Sequence, residues 1–149
     1  MGHSMLRRGR YSAPGQPYLV TIITADRCPL FADFFNGRVV ARVIRELHDA
    51  GIVNLVAWVI MPEHLHWIFS LNERPLSVAM QSLKGRSARR INRRENAQGP
   101  VWQRAYHDHA LRADESLAAT IPYILENPLR AGLAQRIKDY SLWDALGIP

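Results

Sequence analysis

The sequence predicts an α+β domain with elements in the order β-α-β-β-α-β, followed by one more helix. Apolar, β-branched runs of strand length alternate with two segments in which apolar residues recur at helical spacing. Short connections join the two central strands, which makes them antiparallel neighbours. This order matches a ferredoxin-like antiparallel sheet with helices packed against it and an added C-terminal helix. The chain has 149 residues, of which 48% are hydrophobic, and this suits one domain with a sizeable core.

The first half of the pattern contains one helix between strands. Residues 18–25 are apolar and β-branched, which predicts the first strand. Residues 33–50 have helical spacing, with Asp33 or Asn36 as a possible cap and Gly51 as a stop. Residues 53–61 are almost continuously apolar, which indicates a central strand covered on both faces.

The second half repeats the alternation. Residues 75–95 predict a helix with a narrow buried stripe, namely Leu76, Met80, Leu83, Ser87 and Ile91. Residues 101–112 are predicted to be extended, and residues 114–133 helical. Pro122 and Pro128 interrupt this last helix, and the second favours an end or bend at Asn127.

The motif His64-Leu65-His66 follows the tight connection Pro62-Glu63. Side chains alternate along a strand, so the two imidazoles point to one side while the intervening leucine faces the core. Two imidazoles on one side could share a metal ion. On its own, the motif is weak evidence for a metal, because two partly buried histidines making ordinary hydrogen bonds give the same pattern.

A second candidate unit lies on the last predicted helix. Tyr123 and Asn127 are four residues apart, so they share one helical face. They could point together at a metal held by the two histidines, with Asn127 as third ligand and Tyr123 as nucleophile. The alternative is that the tyrosine packs on the sheet while the asparagine caps the helix end.

Positive charge is concentrated in two places. The net charge of +6 favours a polyanionic partner such as nucleic acid. The second helix carries six basic residues within 84–94, which could contact phosphates or form a solvated face. These are Lys84, Arg86, Arg89, Arg90, Arg93 and Arg94. Residues 1–17 are predicted to form a flexible basic arm, in which residues 1–4 look like a cloning remnant and Arg7, Arg8, Arg10 and Tyr11 are candidate DNA contacts.

Four separated segments resemble one known family. MPEHLHWIF, SLKGRSARRIN, VWQRAYHDHALR and YILENPLRAGL occur in the order seen in REP-associated tyrosine transposases. These are single-tyrosine HUH transposases related to those of bacterial insertion sequences. The resemblance covers residues 11–133, with residues 18–149 as one catalytic domain, and Pro122 directly before the tyrosine is a departure that would shift the helix start.

The resemblance implies an activity and a site. His64, His66 and Asn127 would bind a divalent metal, Mg²⁺ or Mn²⁺. Tyr123 would attack a DNA phosphate and keep the 5′ end as a phosphotyrosine. The substrate would be single-stranded DNA near hairpins formed by REP-like palindromes. The enzyme would act as a monomer or homodimer, in the bacterial cytoplasm near the nucleoid.

Three residues near the motifs have open roles. Glu63 adjoins His64 and is either a base, a partner of the metal ligands or a plain turn residue. His107 and His109 form a second H-x-H, which could line the site, contact DNA or complete a four-histidine zinc site with the first pair.

Other interpretations of the chain are compatible with the same features. One alternative function is a non-catalytic module that binds structured single-stranded DNA or RNA. Another is a small-molecule metallohydrolase, which leaves the arginine-rich helix without a role. No apolar run reaches the roughly 18–20 residues of a membrane span, so no membrane partner is expected. The single cysteine, Cys28, excludes an internal disulfide and suits the cytoplasm.

Overall fold

A computed structural model describes residues 15–112 and 117–146. The predicted basic arm, with Arg7, Arg8, Arg10 and Tyr11, lies outside the described residues. The same is true of residues 113–116, which include the predicted start of the last helix.

Five strands form one antiparallel sheet. They are β1 (Pro17–Ile23), β2 (Val53–Met61), β3 (His64–Leu71), β4 (His107–Ala110) and β5 (Trp143–Ala145). Their spatial order is β4-β1-β3-β2-β5. The first four strands confirm the predicted ferredoxin-like arrangement, since β1 and β3 are central and the β2–β3 pair is joined by a tight turn.

Four α-helical segments accompany the sheet. They are α1 (Phe34–Asp49), α2 (Leu76–Glu95), α3 (Leu117–Leu125) and the single turn α4 (Asn127–Arg130). Short 3-10 turns occur at Ala25–Arg27, Leu30–Ala32 and Ile137–Asp139. None of the helices in the described ranges is long and apolar enough to cross a membrane.

Local sequence explains where the two long helices begin and end. The Asp33 carboxylate accepts a hydrogen bond from the Phe35 backbone N–H, which caps α1 as predicted. Gly51 follows α1 with a φ of +76°, a conformation that costs glycine little. All five residues of the predicted α2 stripe are buried.

Different helices pack on the two faces of the sheet. Alternate residues of β1 and β3, among them Val20, Trp67 and Phe69, pack with α1 and α2 into the larger apolar cluster. The opposite face carries Val59 and Ile68, which pack with α3 into a second, smaller cluster. Because side chains alternate along a strand, this second face is also the one that bears His64 and His66.

The predicted fourth strand is longer than the observed one. The prediction spans residues 101–112, but β4 comprises His107–Ala110. Trp102 makes an isolated bridge to Thr24, and its indole N–H donates to the Ser87 hydroxyl of α2 at 2.9 Å. Residues 101–103 keep backbone hydrogen bonds to the end of β1, from Gln103 N–H to the Ile23 carbonyl and from Ala25 N–H to the Val101 carbonyl, but regular pairing begins only at His107.

The predicted last helix is broken into two pieces. Glu126 separates α3 from α4, and Pro128 occupies the second position of α4. Pro128 has no N–H to donate to the Ile124 carbonyl four residues earlier, and the Asn127 side chain donates to that carbonyl instead at 3.0 Å, which accounts for the break. Pro122 lies inside α3 rather than at its first turn.

The C-terminal segment extends the sheet. Leu142 is buried, and its side chain fills the space that a side chain at Gly37 of α1 would need. Residues 143–145 then pair with β2 as an edge strand. The apolar character of Leu142 and Trp143 predicts their packing on the body of the domain, but it does not predict the strand.

Candidate active site

The two histidines of the H-x-H motif converge at the end of β3. Their Nε2 atoms lie 3.1 Å apart. His64 pairs with Met61 across the tight β2–β3 turn, and His66 pairs with Val59 of β2 and Thr21 of β1. The sheet therefore fixes the backbone of both histidines on two sides, as a preorganised site needs.

Both outer ring nitrogens already have partners. Nδ1 of His64 lies 3.1 Å from the Glu63 carboxylate, and Nδ1 of His66 lies 2.9 Å from the Thr21 hydroxyl. Partners of this kind fix the ring orientation of metal-ligating histidines and direct the other nitrogen toward the metal.

One assignment of protons satisfies this whole chain of groups. His64 donates from Nδ1 to Glu63, His66 donates from Nε2 to Nε2 of His64, and Thr21 donates to Nδ1 of His66. If a cation replaced the proton between the two Nε2 atoms, His66 would carry its proton on Nδ1 and donate it to the Thr21 hydroxyl, which would turn from donor to acceptor. The hydrogen-bond network is thus compatible with both a metal-free and a metal-bound site.

Electrostatics keep both rings neutral at physiological pH. Burial, together with the neighbouring His64 and the Arg130 guanidinium, lowers the pKa of His66 to about 4. Burial also lowers the pKa of His64, against the opposing effect of Glu63, and the charge of Arg27 adds to the lowering. Neutral imidazoles are the form that binds metal ions.

A cleft of about 450 Å³ adjoins His64. His64 and Glu63 line one part of it, and Asn127 and Arg130 of α4 line another. The Asn127 amide nitrogen donates to the Ile124 carbonyl at 3.0 Å. Because that nitrogen is engaged, Oδ1 is the atom of this amide that can serve as a ligand, so the structure brings Asn127 to the same cleft as His64.

Tyr123 lies near the end of α3 and is 61% exposed. The Arg130 guanidinium lies over its ring, 5.0 Å from the centroid, and also donates to its backbone carbonyl at 3.2 Å. The alternative that Tyr123 packs on the sheet is wrong, since Ile121, Ile124 and Leu125 supply the buried face of α3. An exposed hydroxyl is sterically accessible to a large substrate.

The second H-x-H does not join the first in a zinc site. His107 and His109 are exposed on β4, and they pair with Thr21 and Leu19 of β1, which places β1 between them and β3. In the described part of the chain, no group of three or more His, Cys, Asp or Glu side chains could hold a metal ion. His107 nevertheless shares a row with Thr21 and His66 on the same face of the sheet.

Most of the basic side chains of α2 form ion pairs or hydrogen bonds with other parts of the domain. Arg90 makes a two-pronged pair with Glu46 of α1 at 2.8 Å, and Arg86 reaches the same carboxylate. Lys84 donates to two backbone carbonyls in residues 103–104, while Arg94 pairs with Asp33. Arg89 and Arg93 are exposed.

This helix also lies across the sheet from the histidines. Helix α2 packs on the face that carries Trp67 and Phe69, whereas His64 and His66 lie on the face covered by α3. Any DNA contacted by α2 must therefore reach around an edge of the sheet to meet the cleft.

The sequence interpretation missed three residues of the site. Thr21 lies more than 40 residues from the histidines in sequence, and it takes the strand register to reveal it. Arg130 lies seven residues after Tyr123 and three after Asn127, a spacing on one helical face that could have identified it. Arg27 belongs to a loop and has no such signal.

Comparison with known proteins agrees with this architecture. The chain is 26% identical over 138 residues to a putative REP-associated tyrosine transposase of Haemophilus influenzae, an alignment covering 85% of this chain and 77% of that protein. It is 27% identical over 86 residues to a REP-associated tyrosine transposase of Escherichia coli, covering 56% of this chain and 49% of the relative.

Solved structures show the same fold. A REP-associated tyrosine transposase bound to a REP hairpin superposes with a TM-score of 0.72 at 21% identity, covering 90% of this chain and 79% of that one. A putative transposase from Deinococcus radiodurans superposes with a TM-score of 0.55 at 22% identity, covering 77% and 92%. The model of the family described as IS200-like transposases matches residues 15–127, which is most of the chain, so this protein belongs to the IS200-like transposase family.

Proposed function

We propose that this transposase cleaves and rejoins single-stranded DNA beside hairpins, using Tyr123 as the nucleophile. The observation that carries the proposal is the convergence of the two Nε2 atoms, 3.1 Å apart, with both Nδ1 atoms already oriented by other side chains. Two imidazoles arranged in this way, next to a cleft that also contains an amide, suit a divalent metal beside a phosphate.

The donor set fits a metal with open coordination positions. His64, His66 and Asn127 would hold it, which leaves room for phosphate and water. Nitrogen ligands suit Mn²⁺ well, whereas Mg²⁺ prefers oxygen. When bound, the ion would withdraw charge from a non-bridging phosphate oxygen and make the phosphorus a better electrophile.

The reaction exchanges one phosphodiester bond for another. The Tyr123 oxygen, having lost its proton, forms a bond to phosphorus, and the bond from phosphorus to the 3′ oxygen breaks. The 3′ oxygen takes up a proton and leaves as a hydroxyl, while the 5′ phosphate stays on the tyrosine. Attack by another 3′ hydroxyl reverses the step without ATP, because the phosphotyrosine bond conserves the free energy of the one that was broken.

All of these groups can work within one chain. Arg130 lines the same cleft as His64 and contacts the Tyr123 ring, which supports a nucleophile supplied by the same chain as the histidines. We therefore expect an active monomer, with residues 18–149 as the catalytic domain and the basic arm adding DNA contacts. The hairpin substrate is supported by the names of the relatives and by the related structure bound to a REP hairpin.

The direct test is a covalent-trapping assay. The protein is mixed with Mn²⁺, Mg²⁺ or EDTA and with hairpin DNA labelled at its 5′ or 3′ end. We expect protein-linked DNA on a denaturing gel for the 3′-labelled strand, with metal only. Hairpin binding without any adduct under all conditions would instead identify a non-catalytic nucleic-acid-binding module.

Thr21→Val should weaken the metal site without removing a ligand. Valine keeps the shape of threonine but loses the hydroxyl that holds Nδ1 of His66. Loss of such a supporting contact typically costs about 10- to 100-fold in metal affinity or activity. The Mn²⁺ concentration that gives half-maximal cleavage should rise accordingly, while Thr21→Ser should stay close to wild type. Equal behaviour of valine and serine variants would exclude this role for the hydroxyl.

Arg89 and Arg93 should contribute to DNA affinity but not to chemistry. Both are exposed on α2, across the sheet from the cleft. The double variant Arg89→Glu/Arg93→Glu should bind hairpin DNA at least tenfold more weakly and with a shallower salt dependence, since fewer counterions are released. Its single-turnover cleavage rate at saturating DNA should match wild type. A reduced rate at saturation with unchanged affinity would contradict this assignment.

A further inference from the structure

Two arginines line the cleft beside the histidines, and the reaction described above uses neither. Arg27 follows β1 in the loop next to His64, and Arg130 belongs to α4 next to Asn127. Both residues line the cleft together with His64, and neither belongs to the strand that carries it. The two arginines thus reach the cleft from two different parts of the fold.

We propose that Arg27 and Arg130 together form a binding site for the phosphates of the single DNA strand that enters the cleft. Arg130, which stacks on Tyr123, is paired with the Glu126 carboxylate in the free protein. When DNA binds, Arg130 leaves this carboxylate and binds the phosphate that the tyrosine attacks. The inference rests on the proposed function, because it identifies which residues hold the strand at that same site.

Arg130 has the contacts expected of a positioning group. It stacks on the Tyr123 ring, donates to the Tyr123 carbonyl and pairs with the Glu126 carboxylate at 3.1 Å. The pair with Glu126 is exposed, and exposed pairs of this spacing contribute little to stability. A phosphate can therefore displace the carboxylate at small cost. A guanidinium group can form two parallel hydrogen bonds with a phosphate, just as it can with a carboxylate.

Arg27 is held in place by an unusual loop. Asp26 and Arg27 both have left-handed backbone conformations, with φ values of 55° and 51°. The Thr24 hydroxyl lies within hydrogen-bond distance of the Cys28 and Glu63 carbonyls, which ties the loop to the residue before His64. Left-handed geometry in two successive residues other than glycine costs free energy and persists where the surroundings enforce it, often at a functional site.

The test separates strand binding from cleavage. All variants are made in a Tyr123→Phe background, so that binding is measured without reaction. The probes are a hairpin with a single-stranded extension and the same hairpin without it. Arg27→Ala and Arg130→Ala should each reduce affinity for the extended hairpin about tenfold and leave the blunt hairpin unaffected. Each should also weaken the dependence of binding on salt. The slope of the logarithm of the binding constant against the logarithm of the salt concentration should fall by about 0.7 for each single-strand phosphate that the protein no longer neutralises.

Two matched variants distinguish phosphate binding from a structural role. Arg45 pairs with Asp49 four residues away, as Arg130 does with Glu126, but on α1 away from the cleft, so Arg45→Ala should have no effect. Glu126→Ala removes the carboxylate that competes for Arg130. If Arg130 binds phosphate, this variant should bind the extended hairpin as well as or better than its parent. If Arg130 merely stabilises the helix, Glu126→Ala and Arg130→Ala should be equally damaging, which would overturn the proposal.

The outcomes also separate this inference from the proposed function. If Tyr123→Phe binds the extended hairpin and the arginine variants bind it equally well, the phosphate site is wrong while strand transfer stands. If the parent protein binds neither hairpin and forms no adduct with DNA, both are wrong. Melting temperatures of all variants, expected within a few degrees of the parent, exclude unfolding as the cause of a loss.

Discussion

Tyr123→Phe is expected to eliminate the covalent protein–DNA adduct and to reduce cleavage at least about 10³-fold, because it removes the attacking oxygen. Hairpin binding should change less than about twofold. The side chain is 61% exposed, so its hydroxyl supports little of the fold, and the change in unfolding free energy should stay within about 0.5 kcal/mol. Labelled hairpin DNA, analysed on denaturing and native gels with the same protein preparation, measures both quantities.

Tyr140 provides the matched control. Its hydroxyl donates to the Ile60 carbonyl, and burial raises its pKa to about 12, so it is a poor nucleophile. Tyr140→Phe should lose about 1 kcal/mol of stability with the hydrogen bond, yet form the adduct at the wild-type rate. An adduct that survives in Tyr123→Phe and disappears in Tyr140→Phe would assign the nucleophile to the other tyrosine.

Strong periodic signals made much of the fold predictable. The stripe from Leu76 to Ile91 identified the buried face of α2, because apolar side chains at helical spacing are typical of a helix that packs on a core. The continuous apolar run of β2 correctly indicated a strand covered on both sides. By contrast, β5 has three residues and forms because Leu142 docks beside Gly37, a contact between distant parts of the chain.

The candidate site was predictable only where it depends on local spacing. His64 and His66 share a face because strand side chains alternate, and Asn127, which lines the cleft, lies beside the proline that interrupts the last helix. Thr21 and Arg27 come from other elements, so their positions depend on register and loop geometry that the sequence does not display.

The basic helix shows why charge alone is a weak guide to a surface. Its arginines suggest a single DNA-binding cluster, but Glu46 and Asp33 of another element pair with three of them. Which arginines face a neighbouring element and which face solvent depends on how α1 and α2 pack. Arg94 is also exposed but pairs with Asp33, so Arg89 and Arg93 are the sharper targets for mutation.

His66→Ala is expected to abolish metal binding and, with it, cleavage. One imidazole of the pair is lost, and the remaining ligands, His64 and Asn127, are too few to hold a divalent ion at micromolar concentration. Wild-type protein should be stabilised by Mn²⁺ through mass action, by about 2.7 kcal/mol at a metal concentration 100 times the Kd. The variant should show no such stabilisation, and thermal unfolding with and without Mn²⁺ measures this independently of activity.

His48→Ala separates metal loss from destabilisation. His48 accepts a hydrogen bond from the Leu55 backbone N–H through Nδ1, so its removal leaves that group without this partner and should cost about 1–3 kcal/mol. Because His48 lies on α1, its loss should lower the melting temperature but preserve the full Mn²⁺-induced increase. If His66→Ala retained that increase, the ion would have to bind elsewhere, and the convergence of the two Nε2 atoms would be a hydrogen bond rather than a metal site.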